Sequence, residues 1–306
     1  MNILSTLIFS DPSLGYNKAD FEFPVDLNRR YPANGTGLCN QVFRFINSIN
    51  FLEPTKNSIY FDLACKDINT GDMTKLSNII DIESMSNKYS MNLFDITDFN
   101  FTHEFKIYND HGVFRSYQND ENTFKDFAKK IIWNEKFENI SKEIISRKNL
   151  NNTKVNLVHL RIDSDYKKHI MGNRTPSDDQ SSEYWVNREK AYYELIDRYR
   201  STIKENCDKS IPLVLLMDET THSFVKELSD DYDLVFFDKS EVLEVDESIE
   251  GRDTFALVDL LIGKNLDIEI FIGMENNIPL IDGNKHSSSF SIMLKYITDS
   301  KKIIMV

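Results

Sequence analysis

The chain has 306 residues, with 36 Lys+Arg against 49 Asp+Glu and a formal net charge of −13. Its 41% hydrophobic and 12% aromatic residues exclude a chain disordered throughout, and its length suits two domains or one large one. The acidic balance argues against a general nucleic-acid binder, which needs a basic surface to neutralise phosphates, but leaves room for a local basic pocket.

In chain order, the start MNILSTLIFSDPSLGY lacks a basic leader, and no apolar run reaches the roughly 18 residues of a membrane-spanning helix, so no transmembrane segment is expected. Asp20 to Asp26 reads as extended, alternating acidic and apolar. Pro32, Asn34, Gly35 and Gly37 form a turn segment. Leu38, Val42, Phe45, Ile46 and Ile49 then share one face of a helix, and Ser58 to Leu63 reads as a buried strand. Residues 66 to 120 are polar and without a periodic pattern. Helical spacing returns at Phe124, Phe127, Ala128, Ile131 and Ile132, and again at Phe137, Ile140, Ile144 and Ile145. The break at Lys148 to Thr153 suggests a division into an N-terminal domain, 1–150, and a C-terminal domain, 151–306.

The second half alternates strongly. Strands are expected at 155–162, 212–217, 234–237, 268–272 and 302–306, with helices between them at 192–203, 220–228, 254–262 and 288–296. That alternation predicts an α/β fold built of parallel β/α units, which bind ligands beyond the carboxyl ends of their strands. The three cysteines, Cys39, Cys65 and Cys207, fit neither a zinc cluster nor a disulfide framework, and the expectation is a reduced, cytoplasmic chain.

Three segments carry possible chemistry, and each has an ordinary structural explanation beside the functional one. Gly35 to Phe43 (GTGLCNQVF) brings glycines to a helix start, where free backbone N–H groups can meet an anion or a sugar hydroxyl; it is also what a plain turn looks like. Val158 to Asp165 (VHLRIDSD) ends a buried strand with His159 and Arg161 on one face. Arg161 can grip a phosphate, or merely pair with Asp163 or Asp165. His286 to Ser291 (HSSSFS) opens a helix, and its serines can donate to a diphosphate or simply cap.

Together these segments resemble, in order and spacing, the fucosyltransferase superfamily that includes protein O-fucosyltransferases and α1,2- and α1,6-fucosyltransferases. GTGLCNQVF is similar to its GxxGNQ-type loop, VHLRIDSDY to its HxR motif and LVLLMDE (213–219) to its ATDE-type strand end. ALVDLLIGKNLDIEIFIG followed by SSSFS is similar to its C-terminal helix, strand and serine block. The resemblance implies a GT-B-type fold of two Rossmann-like domains facing a cleft, the C-terminal one binding the nucleotide-sugar and the N-terminal one lying on the acceptor side. It implies an inverting glycosyltransferase that needs no metal or other cofactor and moves a sugar, fucose first, from a GDP-sugar to a glycan or protein acceptor.

Carried onto this sequence, Arg161 would bind the β-phosphate and stabilise the leaving GDP, with His159 beside the diphosphate. Asp259 would hydrogen-bond guanine, and Ser288, Ser289 and Phe290 would contact phosphate and nucleotide. Gly37 and Asn40 would approach the donor sugar from across the cleft. Two residues depart from the superfamily pattern: Cys39 stands where glycine is usual, and Ile162 where α1,2- and α1,6-type enzymes often carry a second arginine. Asp163 and Asp165 are candidates for the general base, since continued strand alternation would put both on the side of Arg161. Two alternatives stay open: a metal-dependent GT-A-like enzyme using Asp163-Ser-Asp165 as its cation ligands, and a non-catalytic protein that binds a sugar nucleotide or carbohydrate.

Overall fold

The computed structural model describes residues 6–10, 38, 39, 42, 43, 46, 58–62, 64–66, 73–89, 93–95, 105–109, 121–171, 182–275, 279–283 and 287–306. The extended stretch expected at 20–26 and the turn at 32–37 lie outside these residues. The chain divides into two compact units: 1–141 with 242–258, and 142–241 with 259–306.

The first unit contains a parallel sheet. Its strands β1 (Thr6–Ser10) and β2 (Ser58–Asp62) pair with Ile8 opposite Tyr60. An antiparallel hairpin follows, β3 (Ala64–Lys66) and β4 (Met73–Lys75). Next, β5 (Leu93–Asp95) adds in parallel beside β2, and β6 (Phe105–Asn109) beside β1, giving the order β5-β2-β1-β6. The segment 66–120, patternless as sequence, therefore supplies two strands of this sheet. The apolar N-terminal run TLIFS supplies another.

Three helices of this region are α1 (Ile82–Tyr89), α2 (Glu121–Lys130) and α3 (Glu135–Arg147). Asp81 starts α1 by accepting from the Ser84 amide at 2.8 Å, and Asn134 starts α3 by accepting from the Lys136 amide at 3.0 Å, both by side-chain capping. An isolated bridge pairs Ile80 with Trp133, and both are buried with Ile79, Met85, Phe127 and Phe137. The helical residues Leu38, Val42 and Ile46 are buried as their spacing predicts, and Phe43 is buried with them; Phe45 and Ile49 lie outside the described residues.

The second unit is a doubly covered parallel sheet. Its strands are β7 (Lys154–His159), β8 (Leu213–Leu216), β9 (Leu234–Phe236), β10 (Asp267–Gly273) and β11 (Lys302–Met305), in the order β11-β10-β7-β8-β9. Between them run α4 (Ser164–Met171), α5 (Ser182–Asn206), α6 (Ser223–Ser229), α7 (Lys239–Val245), α8 (Arg252–Asn265) and α9 (Ser289–Ile297).

Strand alternation sorts the sheet's side chains to two faces. Val158, Leu213, Leu215 and Ile272 pack with Tyr166, Tyr192, Leu195, Tyr199 and Phe224 from α4, α5 and α6. On the other face, a Cβ added at Gly263 of α8 would meet Leu294 of α9, Leu157 of β7 and Leu216 of β8. Leu260, Leu261 and Ile262 of α8 are fully buried, as expected of a helix apolar nearly all round. The turn at 148–153 leads into β7, with Asn149 and Asn152 at φ of 57° and 60°, a conformation that asparagine tolerates. No described helix is long and apolar enough to cross a membrane.

Candidate active site

All five strands of the second sheet run the same way, so the residues that follow them gather along one carboxyl edge. His159 ends β7, with Arg161 two residues beyond it. Asp218 follows β8, Lys239 follows β9, and Gly273 ends β10 ahead of the serine block. The switch from β7, which leads to β8 on one side, to β10 on its other side is where open α/β sheets place ligands.

The strand expected over 155–162 stops at His159, and α4 begins at Ser164. Asp163 and Asp165 therefore do not alternate along a strand, as the sequence reading supposed. Asp163 is buried and caps α4 instead, its Oδ1 accepting from the Tyr166 amide at 2.8 Å. Its Oδ2 accepts from Arg161 Nη1, also at 2.8 Å. Exposed Asp165 sits in the first turn of α4, with Oδ2 3.5 Å from Arg161 Nη2. Arg161 also lies over the Tyr166 ring, 5.5 Å from its centroid. The guanidinium is thus held by the Asp163 carboxylate and the Tyr166 ring, both at the start of the helix that follows it. Ile162 is fully buried in the core.

His159 is buried, and its Nδ1 lies 2.5 Å from the Ser291 hydroxyl of α9. Ser291 Oγ also accepts from the Met274 amide at 2.9 Å, just past β10. Phe290 packs on the imidazole with ring centroids 4.8 Å apart. Burial, and after it the nearby Arg161 charge, push the His159 pKa down to about 3, so the ring is neutral. Ser288 is the N-cap of α9, accepting from the Ser291 amide, and its own amide donates to the Met274 carbonyl at 3.0 Å. The nine-residue helix thus opens beside His159, with Ser288 and Ser289 at its N-terminus.

Asp259 on α8 belongs to a different group. Burial raises its pKa to about 7, helped by the Asp218 carboxylate and opposed by Lys239. Lys239 is also 3.6 Å from Asp218. Sequence neighbourhood alone offered Asp259 no cation, because Lys239 reaches it only through the fold. Among the described residues, no hydrogen bond or ion pair joins Asp259 to Arg161 or His159.

Gly37 and Asn40 lie outside the described residues. Their neighbours Leu38 and Cys39 are buried, and the Leu38 amide donates to Asp253 Oδ1 at 3.2 Å within the first unit. Burial, and then Asp253, push the Cys39 thiol pKa up, which keeps it protonated and inert.

Sequence reasoning missed Ser291 and the α4 capping by Asp163. Both left a signal: a serine three residues after the Ser288 cap, and an aspartate ahead of Tyr166 and Ile170 at helical spacing. A cavity of about 470 Å³ lies against the start of α4, lined by Ser164, Lys167, Tyr192, Tyr193, Glu219 and His222 among others. Neither His159, Arg161 nor Asp259 lines it. Its Tyr192 hydroxyl donates to the Ile162 carbonyl at 2.6 Å, bracing the segment that carries Arg161.

Comparison with solved structures identifies the fold. POFUT1 in complex with GDP superposes with a TM-score of 0.55 and 11% identity, over 99% of this chain and 98% of its own. POFUT1 in complex with GDP-fucose gives 0.54 and 11%, over 100% and 99%. The fucosyltransferase NodZ from Bradyrhizobium gives 0.49 and 9%, over 95% and 93%, too low to bear on the assignment. The chain thus has an α/β fold with parallel sheets, of the kind seen in POFUT1. No protein-family model matches the sequence, and no curated protein matches it.

Proposed function

We propose that this protein is a metal-independent, inverting glycosyltransferase of GT-B type. Its donor is a GDP-sugar, GDP-fucose first, and its acceptor a glycan or protein. The observation that carries this reading is Arg161, clamped by Asp163 at the carboxyl edge of a parallel sheet, with the N-terminus of α9 opening beside its neighbour His159. Departure of a sugar from a diphosphate leaves negative charge on the leaving group. A preorganised arginine and a helix N-terminus stabilise that charge where it forms. Loss of one such donor typically raises the barrier by about 2.7–4 kcal/mol.

Each part of the second unit then has a role. Arg161 holds the β-phosphate, while Ser288, Ser289 and Phe290 line the nucleotide. Ionised Asp259 accepts from guanine N1–H and N2–H₂. Asp163 positions Arg161, since both of its oxygens are already engaged. The same geometry weighs against Asp163 and Asp165 as metal ligands, because both carboxylates are directed at a guanidinium. Gly37 and Asn40 contribute from the N-terminal, acceptor-side half.

A second reading, a sugar-nucleotide binder without turnover, is favoured by the engaged carboxylate of Asp163, which leaves this loop without a buried free base. Titration of GDP and UDP by calorimetry, with GDP-fucose hydrolysis and transfer followed in parallel, separates the readings. GDP binding tighter than UDP, with release or transfer of fucose, is the expected result. Equal affinity for UDP overturns the guanine assignment, and tight GDP-fucose binding without hydrolysis or transfer supports the second reading.

A further inference from the structure

Ser291 is fully buried, and two groups meet its Oγ: the Met274 amide at 2.9 Å and His159 Nδ1 at 2.5 Å. A backbone N–H can only donate, so the first contact uses an oxygen lone pair. If His159 Nδ1 carried a proton, it would donate to the same oxygen. The Ser291 hydroxyl hydrogen would then be buried with no acceptor, a costly arrangement. In the opposite assignment Ser291 donates to an unprotonated Nδ1, and every polar atom of the serine is used.

We infer that Ser291 is a positioning residue that holds His159 as the Nε2–H tautomer, and that this Nε2–H donates to a phosphate oxygen of the bound nucleotide diphosphate. The second half rests on the nucleotide-sugar reading above. Among the described residues Nε2 has no hydrogen-bond partner, while the Arg161 charge acts on the ring and Phe290, in the first turn of α9, packs on it. Phe290, tilted 35° to the imidazole, restrains the ring from turning the other nitrogen outward. Depression of the His159 pKa keeps the ring neutral, so it acts as a dipolar donor and not as a second cation.

Two measurements test this. The first is a long-range ¹H–¹⁵N spectrum of the six histidines, with His159 assigned by its loss in His159→Gln. An unprotonated Nδ1 and a protonated Nε2 in the ligand-free protein are expected, with mixed tautomers in Ser291→Ala. Protonation at Nδ1 overturns the proposal without reference to any ligand.

The second is GDP affinity in two His159 variants whose folding is checked by melting temperature. Glutamine keeps an N–H near the Nε2 position and should bind GDP within about threefold of wild type; asparagine keeps one only near Nδ1 and should lose about tenfold or more. Equal loss in both overturns the donation step. If wild type itself fails to bind GDP, the nucleotide reading and the donation step both fall, while the tautomer is decided by the spectrum alone.

Discussion

Asp163 joins Arg161 through Oδ2 and the Tyr166 amide through Oδ1, each at 2.8 Å, so one buried carboxylate both aims the guanidinium and starts the next helix. The two jobs separate on mutation. Asp163→Asn keeps an oxygen for the Tyr166 amide but turns an NH₂ toward a cation that can only donate. GDP affinity and turnover should fall together by about tenfold or more, since hydrogen bonds to charged groups are worth about 1.5–3 kcal/mol. Asp163→Ala should also lower the melting temperature, because a lost cap costs about 1 kcal/mol. The strand alternation assumed from sequence gave a different expectation, in which a catalytic base is lost and turnover falls at nearly constant GDP affinity. Calorimetry beside steady-state kinetics decides, and an unchanged GDP affinity in Asp163→Asn restores the base.

The proposed contact of Asp259 with guanine predicts that nucleotide binding depends on pH. Its pKa is raised to about 7, first by burial and then by Asp218. Guanine offers it two donors, which an ionised carboxylate accepts better than a protonated one. GDP affinity should therefore rise as pH climbs through about 7 and weaken below it. GDP's own terminal phosphate titrates nearby, so the quantity to compare is the slope of wild type against Asp259→Asn, which should be flatter. Stability runs the other way. A raised carboxyl pKa contributes stability that is complete below the unfolded-state value of 3.8 and is lost as pH rises through about 7. Asp259→Asn should thus raise the melting temperature more at pH 8 than at pH 5 while weakening GDP. Parallel slopes in the two proteins would remove Asp259 from the base pocket.

What was legible in the sequence follows from where each element finds its partners. The strands of the second sheet are apolar runs such as VNLVH and LVLL, buried on both faces, and they announce themselves without context. The first sheet does not. β5 is three residues, LFD, in a polar segment, and β1 pairs only with strands about fifty and a hundred positions away, as in Ile8 with Tyr60 and Ile107. Local pattern cannot reveal such pairing. Arg161, His159 and the serine block were readable because they follow predicted strands. The end of β7 was not, since apolar Leu160 and Ile162 continue the strand-like pattern although the Leu160 amide makes the final bond to β8, at 3.1 Å to the Leu216 carbonyl, and both side chains are buried in the core that α5 shares.

Gly273 couples the core to the site. A Cβ there would lie 2.8 Å from the Phe271 ring and 3.0 Å from Ser291 Cβ. The ring is packed in the core, so the displacement falls partly on Ser291 and so on His159. Gly273→Ala should destabilise by about 1–3 kcal/mol, the usual range for overpacking, and should weaken GDP binding even at temperatures where the variant is fully folded. Thermal melts and calorimetry on one preparation check both. A variant that is destabilised but binds GDP normally would show that Ser291 can shift without consequence for the nucleotide.

The last expectation concerns metal, where two chemistries make opposite demands on Asp165. As a cation ligand it would be essential. As a partner of Arg161 it is exposed and 3.5 Å away, an arrangement that contributes little because water and salt screen it. Asp163 cannot serve a cation without releasing both Arg161 and the start of α4. Donor hydrolysis or transfer should therefore survive excess EDTA, and Asp165→Asn should stay within about threefold of wild type in GDP affinity. Wild type and Asp165→Asn should respond alike to added Mn²⁺. Activity abolished by EDTA, restored by Mn²⁺ and lost in Asp165→Asn would mean that the aspartates leave Arg161 when donor binds, and that the diphosphate is neutralised by a cation and not by the guanidinium.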